Sequence, residues 1–311
     1  MQSISQQPLS PKATRPKRGL GKILWKITRP HTLTASVIPV FVGTALARRY
    51  GGTHILLFLA MLAACLLIQI ATNLFNEYYD FKRGLDTKAS IGIGGAIVRE
   101  GFQPRTVMFM ALAAYALSIL AGVYICVSST WWLALIGLAG MLIGYLYTGG
   151  PLPIAYTPLG EIFSGVLMGG MFILISFFIQ TGYVNKEALL LSLPTTLLVG
   201  AINMANNIRD LAGDKASGRR TLAILLGHNR AVYGLGLMFA AAYLWVAALV
   251  LRDVVSPWLL LVFLSIPKAG QAVLRLVGKT LPVEMMPAVK STAQANTVFG
   301  LLLSLSLLLA R

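Results

Sequence analysis

The chain has 311 residues, of which 57% are hydrophobic and only 12% charged, with a mean hydropathy of +0.75. An ordinary soluble domain carries about 25% charged residues, so this composition excludes a pair of soluble domains, a disordered chain and a secreted disulfide scaffold, and points to a polytopic membrane protein. Net charge is +16, from 26 Lys and Arg against 10 Asp and Glu; such a surplus also suits nucleic-acid binding, so the placement of the charges must decide.

Residues 1–28 are rich in Ser, Gln, Pro, Lys and Arg, with no apolar core followed by a small-residue cleavage site. They read as a flexible basic cytoplasmic arm, not a signal peptide. Nine apolar runs follow in residues 29–311, near 32–48, 54–75, 105–127, 131–148, 158–181, 187–207, 230–251, 256–274 and 289–310. A spanning helix needs about 20 such residues, and helices satisfy their own backbone in lipid. The expected fold is therefore an all-α bundle of nine transmembrane helices, with Pro39, Pro194 and Pro267 as kinks. Cys65 and Cys126 sit in apolar runs with no CxxC or Cys/His cluster and read as small core side chains. Trp131 and Trp132 read as interfacial anchors.

With the N-terminus in the cytoplasm and nine alternating helices, 21 of the 26 basic residues lie inside. Only Arg48, Arg49, Lys186, Arg252 and Arg311 lie outside. This is a strong positive-inside bias. It predicts a multi-pass membrane protein with its N-terminus in the cytoplasm and its C-terminus outside, and it explains the surplus charge by topology and anionic lipid, without nucleic acid.

Two inner connections, near 77–104 and 208–229, are long and hold or border six of the ten acids: Glu77, Asp80, Asp86, Glu100, Asp210 and Asp214. Acids on the positive side are not needed for insertion and ask for a function. The octets Asn73-Leu-Phe-Asn76-Glu77-Tyr-Tyr-Asp80 and Asn203-Met-Ala-Asn206-Asn207-Ile-Arg-Asp210 share the pattern N-x-x-N-[E/N]-x-x-D. Matched motifs in two halves point to a site at a repeat interface. On a helix, Asn203, Asn206, Asp210 and Asp214 fall within a stripe roughly 80° wide, and Asn73, Asn76 and Asp80 make the same stripe on the other. Gly84 is expected to loosen the first helix before Asp86. Carboxylate and amide oxygens suit Mg²⁺. The basic residues Lys82, Arg83, Lys88, Arg209, Lys215, Arg219 and Arg220 surround them. Together they compose a diphosphate clamp at the cytoplasmic mouth. The competing reading, acids paired with neighbouring basic residues at the membrane surface, accounts for one such motif better than for two. Glu77, Asn203 and Asn207 belong to the octets without an assigned role.

These motifs, with Arg29-Pro-His-Thr-Leu-Thr-Ala-Ser36, Gly84-Leu-Asp86, Ile91-Gly-Ile-Gly-Gly-Ala96, Tyr147-Thr-Gly-Gly-Pro151, Asn206-Asn-Ile-Arg-Asp210 and Gly218-Arg-Arg-Thr-Leu-Ala223, cover nearly the whole chain after the arm. They resemble the UbiA superfamily of intramembrane prenyltransferases, and within it the members that use 1,4-dihydroxy-2-naphthoate in menaquinone synthesis. The resemblance implies Mg²⁺-dependent transfer from a polyprenyl diphosphate to that acceptor, with loss of CO₂ and diphosphate. It implies Asp80, Asp210 and Asp214, with Asp86, as metal-holding and catalytic residues. Asn73, Asn76 and Asn206 join the basic residues on the diphosphate. Many members have Asp where this chain has Glu77 and a further Asp where it has Gly84, which leaves Glu77 open as a direct ligand. Tyr147 and Tyr156 are read either as walls of the acceptor pocket or as an interfacial belt, and Arg29 as an acceptor contact or a positive-inside anchor. Gly92, Gly94 and Gly95 suggest a lid over the site. A secondary transporter is the rival class, but its acids would sit at the midplane.

Overall fold

The computed structural model describes residues 27–86 and 95–310, together with Gly21 and Trp25. Most of the basic arm, the expected diphosphate residue Lys88, and the lid residues Gly92 and Gly94 lie outside the described residues. The described residues contain no strand. In chain order the helices are α1 (Pro30–Arg48), α2 (Ile55–Lys82), the single turn α3 (Ala96–Glu100), α4 (Pro104–Ser128) and α5 (Trp132–Leu146). They continue with α6 (Gly160–Thr181), α7 (Lys186–Ala216), the single turn α8 (Leu222–Leu226), α9 (His228–Leu251), α10 (Pro257–Leu274) and α11 (Pro282–Leu309).

Among the described residues, seven helices are long and apolar enough to cross a membrane: α2, α4, α6, α7, α9, α10 and α11. The other two expected spans are apolar but short. The apolar part of α1 is Thr32–Arg48, and α5 is Trp132–Leu146. At 1.5 Å per residue α5 is about 22 Å long, less than the ~30 Å hydrocarbon core. By contrast α2 has 28 residues and α7 has 31, or about 42 and 46 Å. Each overreaches the core by two turns or more. The expected ends near 75 and 207 are therefore too early: the polar octets lie inside the last turns of α2 and α7, not in loops. The last helix likewise begins at Pro282, not near 289.

Local chemistry sets these boundaries. Pro residues open α1, α4, α10 and α11 at their first turns, where the missing N–H costs nothing. Asn185 caps α7, its side chain accepting from Ala188 N at 2.8 Å. Helix α2 ends in a Schellman motif: Leu85 N donates to Asp80 O at 2.9 Å and Gly84 N to Phe81 O at 3.0 Å, with Gly84 at φ +72°. Gly84 thus ends α2 as expected.

Helices α1, α6, α7, α9, α10 and α11 share the largest core, with Ile38, Phe177, Leu198, Leu235 and Phe299 at its centre. Gly300 lets α11 approach α1 closely, since a Cβ there would overlap Ile38. A second core joins α2, α3 and α4 through Leu74, Phe75, Ile97 and Val107. A third, around Val40, Met61, Ile125 and Leu133, closes the opposite end from the octets. Helix α5 buries only Leu133 and Met141, so most of its surface faces lipid or a cavity.

Candidate functional site

A cavity of about 770 Å³ lies among α1, α2, α4, α5, α6 and α7. Its body is apolar, lined by residues such as Met61, Cys65, Ile125, Leu133 and Phe172. Its mouth is polar, lined by Arg29, Asn73, Asn76, Asp80, Asp86, Tyr147, Asn203, Asn206, Asn207, Arg209, Asp210 and Arg219. The two octets, 130 residues apart in sequence, meet at this mouth.

Four of the five asparagines at the mouth commit their N–H groups to neighbours within the protein. Asn73 Nδ2 donates to Thr28 O at 2.9 Å and Thr32 Oγ1 at 3.0 Å, tying α2 to the start of α1. Asn203 Nδ2 donates to Tyr147 Oη at 2.8 Å, Asn206 Nδ2 to Ile202 O at 3.0 Å, and Asn207 Nδ2 to Glu161 Oε1 at 2.9 Å. Asn73 Oδ1 accepts from Gln69 Nε2 at 3.3 Å, and the carbonyl ends of Asn203, Asn206 and Asn207 remain as acceptors. With Asp80, Asp86 and Asp210 beside them, this end of the cavity is rich in oxygen acceptors.

Arg219 joins the halves. Its Nη2 meets Asp80 Oδ1 at 2.8 Å and its Nη1 meets Asp214 Oδ1 at 3.0 Å, while its guanidinium carbon lies 5.0 Å from the Tyr156 ring centre. Asp210 is held by its neighbour Arg209 through a two-point contact of 2.8 and 2.5 Å. The Schellman turn folds Asp86 back onto the mouth, where Asp86 N donates to Asp80 O at 3.4 Å. Burial, reinforced by the charges of Asp80 and Glu77, pushes the Asp86 carboxyl up to about 6.

Several expected site residues serve other ends. Glu77 is buried and does not line the cavity. Its carboxylate accepts from Gly95 N at 2.8 and 2.7 Å and from Ile97 N at 3.2 Å, anchoring the start of α3. This answers its open role: it is a positioning residue for the 95–100 segment. Arg83 also lies outside the cavity lining. Its guanidinium donates to Thr148 O and, at 2.9 Å, to Gly150 O, and lies between the rings of Tyr79 and Tyr156 at 5.3 and 5.4 Å. It fixes the Tyr147–Gly150 turn. Tyr156 packs under Arg83 and Arg219 and does not line the cavity. Lys82, Lys215 and Arg220 are exposed and outside the cavity lining, at most part of a positive rim. Asp214 also lies behind the lining and reaches the mouth through Arg219.

Sequence reasoning missed Glu161, a buried carboxylate that sets the amide of Asn207. The available signal was an acid at the head of an apolar span, which is a functional hypothesis by default.

The oxygens fit a hard divalent cation. Asn76 Oδ1, Asp86 Oδ2 and Asp214 Oδ2 are buried acceptors with no hydrogen-bond partner. Among the described residues, no three carboxylate, His or Cys groups already stand together as a ligand cluster; Arg219 lies between the two acids it bridges.

The sequence profile of the UbiA prenyltransferase family matches residues 36–282. The chain belongs to the UbiA prenyltransferase family. Its similarity to the 1,4-dihydroxy-2-naphthoate octaprenyltransferase of Bacillus subtilis (strain 168) is 63% identity over 294 residues, covering 94% of each chain. The UbiA prenyltransferase domain-containing protein 1 of Xenopus tropicalis is 34% identical over 78% of this chain and 70% of its own. Among solved structures, a UbiA homolog from Archaeoglobus fulgidus bound to GPP and Mg²⁺ superimposes with a TM-score of 0.63 at 18% identity, over 91% of this chain and 99% of that one. That likeness establishes the UbiA fold, to which the all-helical bundle conforms. The expected enzyme class, an intramembrane prenyltransferase, stands.

Proposed function

We propose that this UbiA prenyltransferase moves a polyprenyl group from polyprenyl diphosphate to 1,4-dihydroxy-2-naphthoate, releasing CO₂ and diphosphate and giving demethylmenaquinol. The observation that carries the reading is 63% identity, end to end, with a Bacillus subtilis enzyme bearing that substrate in its name. The cavity supports it: an apolar body suits a prenyl chain, and an acceptor-rich mouth suits a cation bound to diphosphate.

The reaction balances without a protein nucleophile or base. The donor's C–O bond breaks, and its electron pair leaves with the diphosphate. The allylic carbon bonds to the ring carbon that carries the carboxylate. The C–CO₂⁻ bond then breaks and its pair returns to the ring. Mg²⁺, held by Asp80, Asp86, Asp210 and Asp214, would neutralise the diphosphate. The residues of the chain do the rest. Asn76 and Asn206 add carbonyl oxygens at the mouth. Arg209 and Arg219 stabilise the charge that develops on the leaving group. Tyr147, pinned by Asn203, and Arg29 border the space left for the aromatic acid. The apolar walls exclude water that would capture the allylic cation.

The same reading places the N-terminus and the mouth in the cytoplasm of a bacterial cell and the C-terminus outside, consistent with the basic-residue bias. The test is an acceptor comparison with purified protein, Mg²⁺ and octaprenyl diphosphate, products read by mass. Dihydroxynaphthoate should be prenylated with loss of 44 mass units as CO₂ (roughly, from the carboxyl group). Preference for 4-hydroxybenzoate, or retention of the carboxyl, would overturn the acceptor assignment. Full turnover in Asp210→Ala would overturn the metal clamp.

A further inference from the structure

Helix α5 presents Gly137, Gly140 and Gly144 on one face at i, i+3 and i+7, and all three line the cavity, as does Gly122 of α4. The three deeper glycines, Gly122, Gly137 and Gly140, differ from Gly144. A Cβ at Gly144 would meet Tyr115 Oη at 2.9 Å and Thr72 Oγ1 at 3.2 Å, so the neck beside the mouth is packed. A Cβ at Gly140, Gly137 or Gly122 would meet nothing within 4 Å. At these three positions the cavity wall carries no side chain, and a Cβ would project into open space.

Their depth can be read along the helix. From Tyr147 at the mouth, Gly140 is about 10 Å away, Gly137 about 15 Å, and the far lining residue Leu133 about 21 Å, at 1.5 Å per residue. An isoprene unit advances the chain by four carbons. Extended chain geometry, about 3.5 Å per three backbone bonds, makes that about 5 Å per unit. Gly140 therefore stands about where the second isoprene unit of a bound donor ends, and Gly137 about where the third ends.

Resting on the prenyl-transfer reading above, we infer that Gly140 and Gly137 gauge the donor passage: their missing side chains are what admits prenyl chains longer than two and three units. A leucine at either position would project into the space that the next unit occupies, and the two positions would impose cut-offs one unit apart.

The experiment compares wild type, Gly140→Leu and Gly137→Leu as purified full-length proteins. Each is given an equimolar mixture of geranyl, farnesyl, geranylgeranyl and octaprenyl diphosphates with dihydroxynaphthoate and Mg²⁺, and products are separated by mass. In Gly140→Leu the ratio of geranyl to farnesyl product should rise at least tenfold over wild type. In Gly137→Leu that ratio should hold, while the ratio of farnesyl to geranylgeranyl product rises at least tenfold. Gly→Ala at each site, which favours the helix by about 1 kcal/mol, supplies a folded control with a smaller shift in the same direction. Unchanged ratios in the Leu variants, equal loss of all lengths, or identical cut-offs at both positions would overturn the gauge. If a Leu variant does not fold, the alanine ratios decide, and no shift there overturns it. A wild type that prenylates nothing would instead refute the functional reading, so the two failures are distinct.

Discussion

Arg219→Gln isolates the bridge between the two halves of the site. Arg219 makes two contacts, at 2.8 Å to Asp80 and 3.0 Å to Asp214, and the three side chains are only 11 to 18% exposed. Glutamine keeps much of the length and the polarity but removes the charge. Two carboxylates from different helices then face each other without a cation between them. Breaking a buried pair by removing one partner costs about 3–5 kcal/mol. Residual exposure and the freedom of Asp80 or Asp214 to take a proton place this case near the lower figure, about 3 kcal/mol. Small domains shift by several degrees per kcal/mol, and a chain of this length by about 1–2 °C, so the metal-free variant should melt about 5 °C below wild type. Mg²⁺ should raise the variant's melting point more than the wild type's, because a cation restores what the guanidinium supplied. Arg219→Lys, a point charge without the fork, should fall between. The assay is thermal unfolding in detergent across a Mg²⁺ titration. A variant that melts within 1 °C of wild type, or the same Mg²⁺ response in both proteins, would refute the bridge.

Two further outcomes follow from the mouth. Asp86 titrates near 6, above the roughly 3.9 of an unfolded aspartate, so between those values the native state binds the extra proton and metal-free stability falls as pH rises through about 6. Mg²⁺ competes with that proton: its apparent affinity should drop as pH falls from 7 to 5, and Asp86→Asn should flatten the dependence, as measured by Mg²⁺ titration of thermal stability. Glu77→Gln replaces charge-assisted bonds to Gly95 and Ile97 with weaker ones, at a cost of about 1.5–3 kcal/mol. Amide hydrogen exchange over 95–100 should speed up about tenfold or more, whereas unchanged protection there would show that Glu77 does not anchor α3.

Most of the bundle was legible because membrane spans are the most legible elements in a sequence: length and hydropathy alone place them, and lipid forbids alternatives. The errors fall where hydropathy stops reporting. Helices α2 and α7 continue for two turns or more beyond the expected ends near 75 and 207, carried by hydrogen bonds within the helix and by contacts to Thr28, Tyr147 and Arg219, none of which a hydropathy window registers. The paired octets were visible because they repeat, and helical phase put their amides and acids on facing stripes. What phase could not give was the division of labour among like charges. Arg83, Arg209, Arg219 and Arg220 are equivalent in sequence, yet one braces a turn, one clamps Asp210, one bridges two helices, and one is exposed.

That division has a physical basis. At the edge of lipid a guanidinium with five donors settles wherever the most acceptors converge. Carbonyls of the Tyr147–Gly150 turn converge on Arg83, and carboxylates from two helices converge on Arg219. The amides of Asn203, Asn206 and Asn207, facing the same choice, donate to Tyr147, Ile202 and Glu161 and keep their oxygens as acceptors. Orientation of a few amides thus turns a neutral asparagine stripe into a site biased toward cations, and Glu161, invisible to the motif search, sets one of them. The bias depends on both helices overreaching the hydrocarbon, because only there can acids and amides stay polar without the full penalty of burial in lipid.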